Sequence, residues 1–196
     1  MISILPITRI IGIVAISYGA CVAFVVVLIG KFGDYPTLWS SVGIAISGGT
    51  TLNALLFFLI YFGWKRIWSM FPGLNRLVFP DLNGSWNMSI HWQNAEKNGF
   101  VTAKAQIKQN LLRISMEVFS RDSDSETLIA LPKRDSESGR PILYYVYRVV
   151  PKNIKVDAGA SYEGSAILKI STSSFDRLSG NYFTSRRTTG HFELSR

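Results

Sequence analysis

The sequence predicts a membrane α-helical hairpin joined to an all-β domain: two N-terminal transmembrane helices, then a small eight-stranded up-and-down β-barrel. Three observations predict it. Two long uncharged runs lie close together near the N-terminus. Hydrophobic periodicity then changes from helical to two after Gly84, and turn signals recur at the spacing of short strands. The segments are 1–66 for the hairpin, 67–79 for a juxtamembrane connector and 80–196 for the barrel.

Ile10 to Ile29 is about twenty residues without a charge, enough at 1.5 Å per residue to cross the roughly 30 Å hydrocarbon layer. The loop from Gly30 to Thr37 carries Lys31, Asp34 and Pro36, which end the helix and solvate the turn. Leu38 to Phe62 is a second uncharged run, closed by Trp64, Lys65 and Arg66 at the water interface. So short a connection makes the spans antiparallel neighbours. The first is not a signal peptide, because its apolar run passes straight through Ala20 and Cys21. Arg9 before the hairpin and Lys65, Arg66 and Arg76 after it place both termini in the cytoplasm by the positive-inside rule.

Small residues recur at four-residue spacing on both spans: Ala15, Gly19 and Ala23, then Gly43, Ser47 and Thr51 beside Ala45, Gly49 and Asn53. Such stripes let backbones approach closely, either within the hairpin or between copies. The second span has two, and one hairpin partner covers only one face. Gly43, Ser47, Gly49 and Asn53 are therefore the candidates for self-association into homo-oligomers, with the Asn53 amide seeking a partner in the lipid.

Lys65 to Phe79 continues as a connector broken at Pro72-Gly73, and Pro80 to Gly84 is the turn that opens the barrel. Trp86, Met88, Ile90 and Trp92 then alternate with polar residues. Seven more strands are expected near 99–109, 111–120, 125–132, 141–150, 162–171, 177–186 and 188–195, with Leu112 heading the inward set of the third. Closing the sheet removes its exposed edges.

In an up-and-down barrel the end where the chain arrives holds Trp86, Gln109, Arg140 and Arg196. The far end holds loops 93–98, 120–125, 151–161 and 185–188. Those loops and their flanks supply Lys97, Arg121, Lys152, Lys155, Arg186 and Arg187, with Ser123 and Ser125. Following Leu178, Gly180 and Tyr182 upward brings Thr184 and Arg186 to the inner side of the mouth. Tyr145 and Tyr147 lie on the fifth strand, whose LYYVYRVV run leaves its inward phase open. The ligand-binding candidates are Arg186, Thr184, Tyr182, Tyr147, Tyr145, Ser125 and Arg121. Guanidinium forks there would grip phosphate while tyrosines stack on bases. The bland reading makes the arginine a plug over a tryptophan, or merely solvated.

Nothing resembles catalytic machinery: there is no nucleophile elbow and no Gly-rich phosphate loop with a helix. His91 and His191 fall on outward phases, and the only cysteine, Cys21, lies in the first span, so neither a metal site nor a disulfide is expected. The formal charge is +8, and only Arg9, Lys31 and Asp34 precede Trp64, so the excess belongs to the later part. A mouth facing inward suits a compact anion rather than DNA or RNA.

Two spans, then Pro80-Asp-Leu-Asn-Gly-Ser-Trp86, then a β domain with Gly180, Tyr182, Thr184, Arg186, Thr188 and Gly190 at alternate positions resemble one family. It is the two-transmembrane β-strand-rich effectors associated with bacterial CD-NTases (SMODS enzymes) in cyclic-oligonucleotide-based anti-phage signalling (CBASS). Ile107-x-Gln109, Ser123-x-Ser125, Leu143-x-Tyr145-x-Tyr147 and Gly164-x-Ala166 support the match, while Tyr162 stands where a histidine is expected. The resemblance implies a barrel that binds a cyclic dinucleotide from a partner CD-NTase, with no other cofactor. It also implies oligomerisation in the bacterial inner membrane, and membrane damage ending in growth arrest or death. The Gly84-x-Trp86 start is also similar to lipocalin-like barrels, which leaves a second reading, a membrane-anchored carrier of a lipid or other small molecule.

Overall fold

The computed structural model describes residues 7–33, 37–152 and 160–196. The chain divides into two compact units, Leu5–Trp64 and Lys65–Arg196.

In the first unit, helix α1 spans Ile7–Phe32 and helix α2 spans Leu38–Phe58. The Thr37 hydroxyl caps α2 by accepting from the Ser40 amide at 3.4 Å. The helix does not stop at Phe62. It runs through a π-helical turn, Leu59–Gly63, into α3, Trp64–Met70, because no proline interrupts the backbone before Pro72. Ile11–Phe32 and Leu38–Met70 are long and apolar enough to cross a bilayer, and neither apolar stretch is buried within the protein. Apolar surface of that extent calls for lipid. The Tyr18 hydroxyl donates to the Ala45 carbonyl across the hairpin. Its ring fills a notch at Gly48, where a Cβ would lie 3.0 Å from that hydroxyl, and at Gly49. Gly43 and Ser47 are exposed on another face of α2, and Asn53, one turn beyond Gly49, is exposed past the residues that Tyr18 contacts. Asp34 and Pro36 lie outside the described residues.

The second unit begins with the connector and its short helix α4, Gly73–Leu77. Eight antiparallel strands follow: β1 Gly84–Gln93, β2 Asn98–Gln109, β3 Ile114–Phe119, β4 Ser123–Arg134, β5 Pro141–Pro151, β6 Tyr162–Ile170, β7 Arg177–Thr184 and β8 Thr189–Ser195. Each pairs with the next, and β8 closes on β1 through pairs such as Met88↔Leu194. Leu112 is not in β3. Asn110 Oδ1 takes the amides of Leu112 and Arg113 at 2.9 and 2.7 Å, an Asx turn that delays the strand to Ile114 and leaves Leu112 exposed. The β3–β4 ladder is short, and Thr127 Oγ1 supplements it by bonding both the amide and the carbonyl of Met116 at 2.7 Å.

The barrel is sealed where the chain enters. Phe79 and Leu82 are fully buried, and Gln109 accepts from the Leu82 amide at 2.9 Å and donates to the Pro80 carbonyl at 3.1 Å. Trp86 Nε1 donates to the Leu82 carbonyl at 2.9 Å, and the Arg196 guanidinium lies 4.6 Å over the Trp86 ring. The connector is tied to this end. Trp68 Nε1 donates to the Phe79 carbonyl at 2.9 Å, and Arg134 donates to the carbonyls of Arg76 and Val78.

Residues 65–196, expressed without the hairpin, should give a folded domain whose far-ultraviolet circular dichroism is dominated by strand. A helix-dominated spectrum would contradict the fold. In that fragment Trp86→Ala removes a ring only 1% exposed and should cost about 3–5 kcal/mol in urea unfolding.

Candidate functional site

The interior divides into a filled half and an open half. Near the sealed end Ile107, Met116, Leu143, Leu168, Leu178 and Leu194 are each no more than 2% exposed. Toward the mouth the inward positions change character. Leu143, Tyr145, Tyr147 and Val149 form the inward phase of β5, which the run of rings and β-branched residues left ambiguous.

Glycines stand directly across the ladder from the large rings. The register pairs Trp92 with Gly99, Tyr147 with Gly164, Tyr182 with Gly190 and Phe192 with Gly180. A Cβ at Gly99 would come within 2.6 Å of the Trp92 indole, one at Gly190 within 2.8 Å of the Tyr182 ring, and one at Gly164 would strike the Tyr147 ring. At Gly180 and Gly190 a Cβ would also collide with main-chain carbonyls of the adjoining strands, those of Ile167 and His91. The rings therefore lie flat along the wall, an aromatic–glycine pairing that strands use to fill the gap above a glycine. Tyr182 and Phe192 stack at 4.1 Å and 16°, Tyr145 and Tyr147 at 4.9 Å and 18°, and Tyr147 meets Phe192 at 48°.

What remains is a cavity of about 310 Å³ opening at the far end. Its walls carry the rings just described together with Ser120, Ser123, Ser125, Thr184, Thr188 and Tyr162. Tyr145 marks the floor: it is 1% exposed, and its hydroxyl donates to the Met116 carbonyl at 2.8 Å. At the rim, Thr184 to Thr188 forms a tight turn with Arg187 in the left-handed region at φ 59°, closed by the Arg187 amide donating to the Thr184 carbonyl at 3.0 Å. That turn presents Arg186 to the cavity. Its guanidinium lies 4.3 Å over the Tyr162 ring and donates to the Ala160 carbonyl.

Six of the seven candidate residues thus line one cavity: Arg186, Thr184, Tyr182, Tyr147, Tyr145 and Ser125. Arg121 is exposed and does not line it; its neighbour Asp122 does. Lys152 is engaged with Asp124 Oδ1 and the Ser120 carbonyl, both at 2.7 Å. Lys97 and Arg187 are exposed away from the cavity, and Lys155 lies outside the described residues. Among the described lining residues Arg186 is the one guanidinium and Asp122 the one carboxylate. The arginine that does plug a tryptophan is Arg196 over Trp86, at the opposite end. His91 and His191 face each other in the β1–β8 ladder and border a larger concavity, about 1250 Å³, that also takes in exposed outward residues such as Phe100 and Phe183.

Burial pushes the Tyr145 and Tyr182 phenols up to about 12 and raises Tyr147 further, so hydroxyls already neutral at physiological pH ionise only at still higher pH. Burial also raises Tyr162, against the pull of Arg186 toward the phenolate. Because these phenols ionise near 10 when unfolded, the native state holds more protons between about pH 10 and 12. The stabilisation is fully present below pH 10 and is lost as pH rises through that window. A melting temperature that falls from pH 10 to 12, in step with late phenolate absorbance, is the expected result.

A family model described as Cap15, cyclic dinucleotide receptor domain, matches residues 77–196, from the end of α4 through β8. No curated protein matches the chain. The matched stretch takes in every residue of the cavity, and with it more than half of the sequence. The chain belongs to the Cap15 cyclic dinucleotide receptor family.

Proposed function

We propose that the cavity is the receptor site for a cyclic dinucleotide messenger. Arg186 forms charge-assisted hydrogen bonds to phosphate, the ring pairs supply faces for stacking, and the serine, threonine and tyrosine hydroxyls meet base and sugar edges. The observation that carries this reading is the meeting of one guanidinium with stacked tyrosines in a single open cavity. A lipid carrier would use the apolar wall that Met88, Ile90, Val101 and Val118 supply, but it has no need of a guanidinium and a row of hydroxyls at the mouth. The role is that of a receptor, not a catalyst, and the messenger comes from a partner CD-NTase.

The rest of the proposal concerns output. The hairpin spans the bacterial inner membrane with both termini in the cytoplasm, which suits the basic residues Arg9, Lys65, Arg66 and Arg76. Ligand favours association of the receptor domains, the hairpins assemble into homo-oligomers, and the membrane is compromised as an anti-phage response ending in growth arrest.

Arg186→Ala should abolish binding of the messenger, a loss on the order of 2–5 kcal/mol, while leaving the fold intact because the side chain is exposed. A variant that melts much earlier and binds normally per folded molecule would make Arg186 structural.

The hairpin is tested separately. Asn53→Leu and Gly43→Leu alter exposed positions of α2, whereas Gly49 faces Tyr18, whose hydroxyl lies 3.5 Å from where a Cβ would be, so leucine there also tests the packing of the hairpin. The first two should leave ligand affinity unchanged and greatly reduce ligand-induced cross-linking in membranes and growth arrest. Full assembly and full toxicity in both would make the hairpin an anchor alone.

A further inference from the structure

The cavity and its potential ligand differ in size. A cyclic dinucleotide, two nucleosides joined through two phosphodiesters, takes up on the order of 700 Å³ at the density of packed organic matter, and one nucleoside about 300 Å³. The cavity is about 310 Å³, at the low end of the roughly 300–1,000 Å³ of sites that enclose one drug-sized ligand, and a cyclic dinucleotide is larger than such a ligand. Its floor does not yield easily, because Tyr145 is bonded to the Met116 carbonyl and the residues beneath are fully packed.

Charge placement gives a second, independent constraint. The phosphodiesters lie at the centre of such a ligand with a base on either side. Arg186 stands at the rim, and none of the described lining residues deeper in the barrel is cationic. Drawing a phosphate down among neutral hydroxyls and rings would strip its water without a counter-charge, which is costly. The phosphodiester ring is therefore held at the level of Arg186, toward the β7–β8 turn, while the Asp122 carboxylate repels it from the β3–β4 side. With the ring at the rim, one base points down among the stacked aromatics and the other points out.

We propose that the cavity takes one nucleoside of a cyclic dinucleotide and leaves the second outside, so that the barrel reads one base and tolerates exchange of the other. This rests on the reading of the cavity as the receptor site. A symmetric ligand can then enter in two equivalent ways, and a mixed ligand carrying one correct base in only one.

The test is calorimetric titration of the full-length protein in detergent micelles with the symmetric cyclic dinucleotides of adenosine, cytidine, guanosine and uridine, and with every mixed pair. One symmetric compound should bind best. Mixed compounds sharing its base should bind only about twofold more weakly, the loss of one of two orientations, and compounds lacking it at least about tenfold more weakly. Mixed compounds that bind no better than those lacking the base, or that fall midway on a logarithmic scale, show both bases being read and overturn this inference alone. Failure of every compound to bind overturns the receptor reading and this inference together.

Discussion

An eight-stranded barrel is barely wide enough for its own side chains, and that constraint governs the molecule. Such a barrel either fills its interior or gives up part of it to hold one small ligand. Here both outcomes occur in one barrel. The half nearest the connector is packed with leucine, isoleucine and methionine, and Trp86 and Arg196 close it. In the other half Gly99, Gly164, Gly180 and Gly190 remove side chains at inward positions. The rings opposite them lie along the wall instead of crossing the lumen. The cavity exists because glycine and aromatic alternate across the ladder, and any side chain at those four positions would close it or break a strand pairing.

The same arrangement explains why charge stays at the rim. A barrel this narrow cannot solvate an ion in its interior, so a deep arginine would need a buried partner. The protein places its two interior-facing charges, Arg186 and Asp122, on turns where water reaches them, and lines the depth with aliphatic side chains, rings and the Tyr145 and Tyr147 phenols. Phenols, neutral at physiological pH and raised further by burial, present donors and acceptors without a desolvation penalty of ionic size. On the proposed reading, affinity from charge and selectivity from shape are separated along the barrel axis.

How far the sequence disclosed this depends on the element. The alternation of Trp86, Met88, Ile90 and Trp92 is legible because one face meets the core and the other meets water. The LYYVYRVV run was not, since both phases carry large residues; only the register, which sets Tyr147 over Gly164, decides it. Leu112 matched the alternation but lost to Asn110, whose side chain captures the amides a strand would need. Arg121 and Asp122 share one turn, and adjacent turn residues point apart, so spacing alone chose the wrong one to line the cavity. The arginine-over-tryptophan plug was anticipated as a motif, but its partners are Trp86 and Arg196, which only barrel closure brings together. The role of the glycines was hidden for the same reason, because a glycine in a strand has no visible purpose until its cross-strand neighbour is known.

In the proposed mechanism, the energetics of the hairpin limit how the signal can be transmitted. Tyr18 already fills the notch at Gly48 and Gly49, so the face left to a neighbouring copy is the one bearing Gly43 and Ser47, with Asn53 beside it. Intramembrane contacts of that kind are worth roughly 0.5–2 kcal/mol each. Shifting a two-state equilibrium from 1:99 to 99:1 takes about 5.5 kcal/mol of differential ligand affinity. A single phosphate grip of about 2–5 kcal/mol falls short even if all of it discriminated between the states. A dimer of weakly attracting hairpins would therefore respond only gradually to the messenger. An assembly of many copies, each contributing its ligand and its contacts while held in two dimensions, multiplies both terms and converts a weak preference into a threshold. Weak hairpin contacts are then a requirement of the switch, since stronger ones would assemble the protein before any messenger was made.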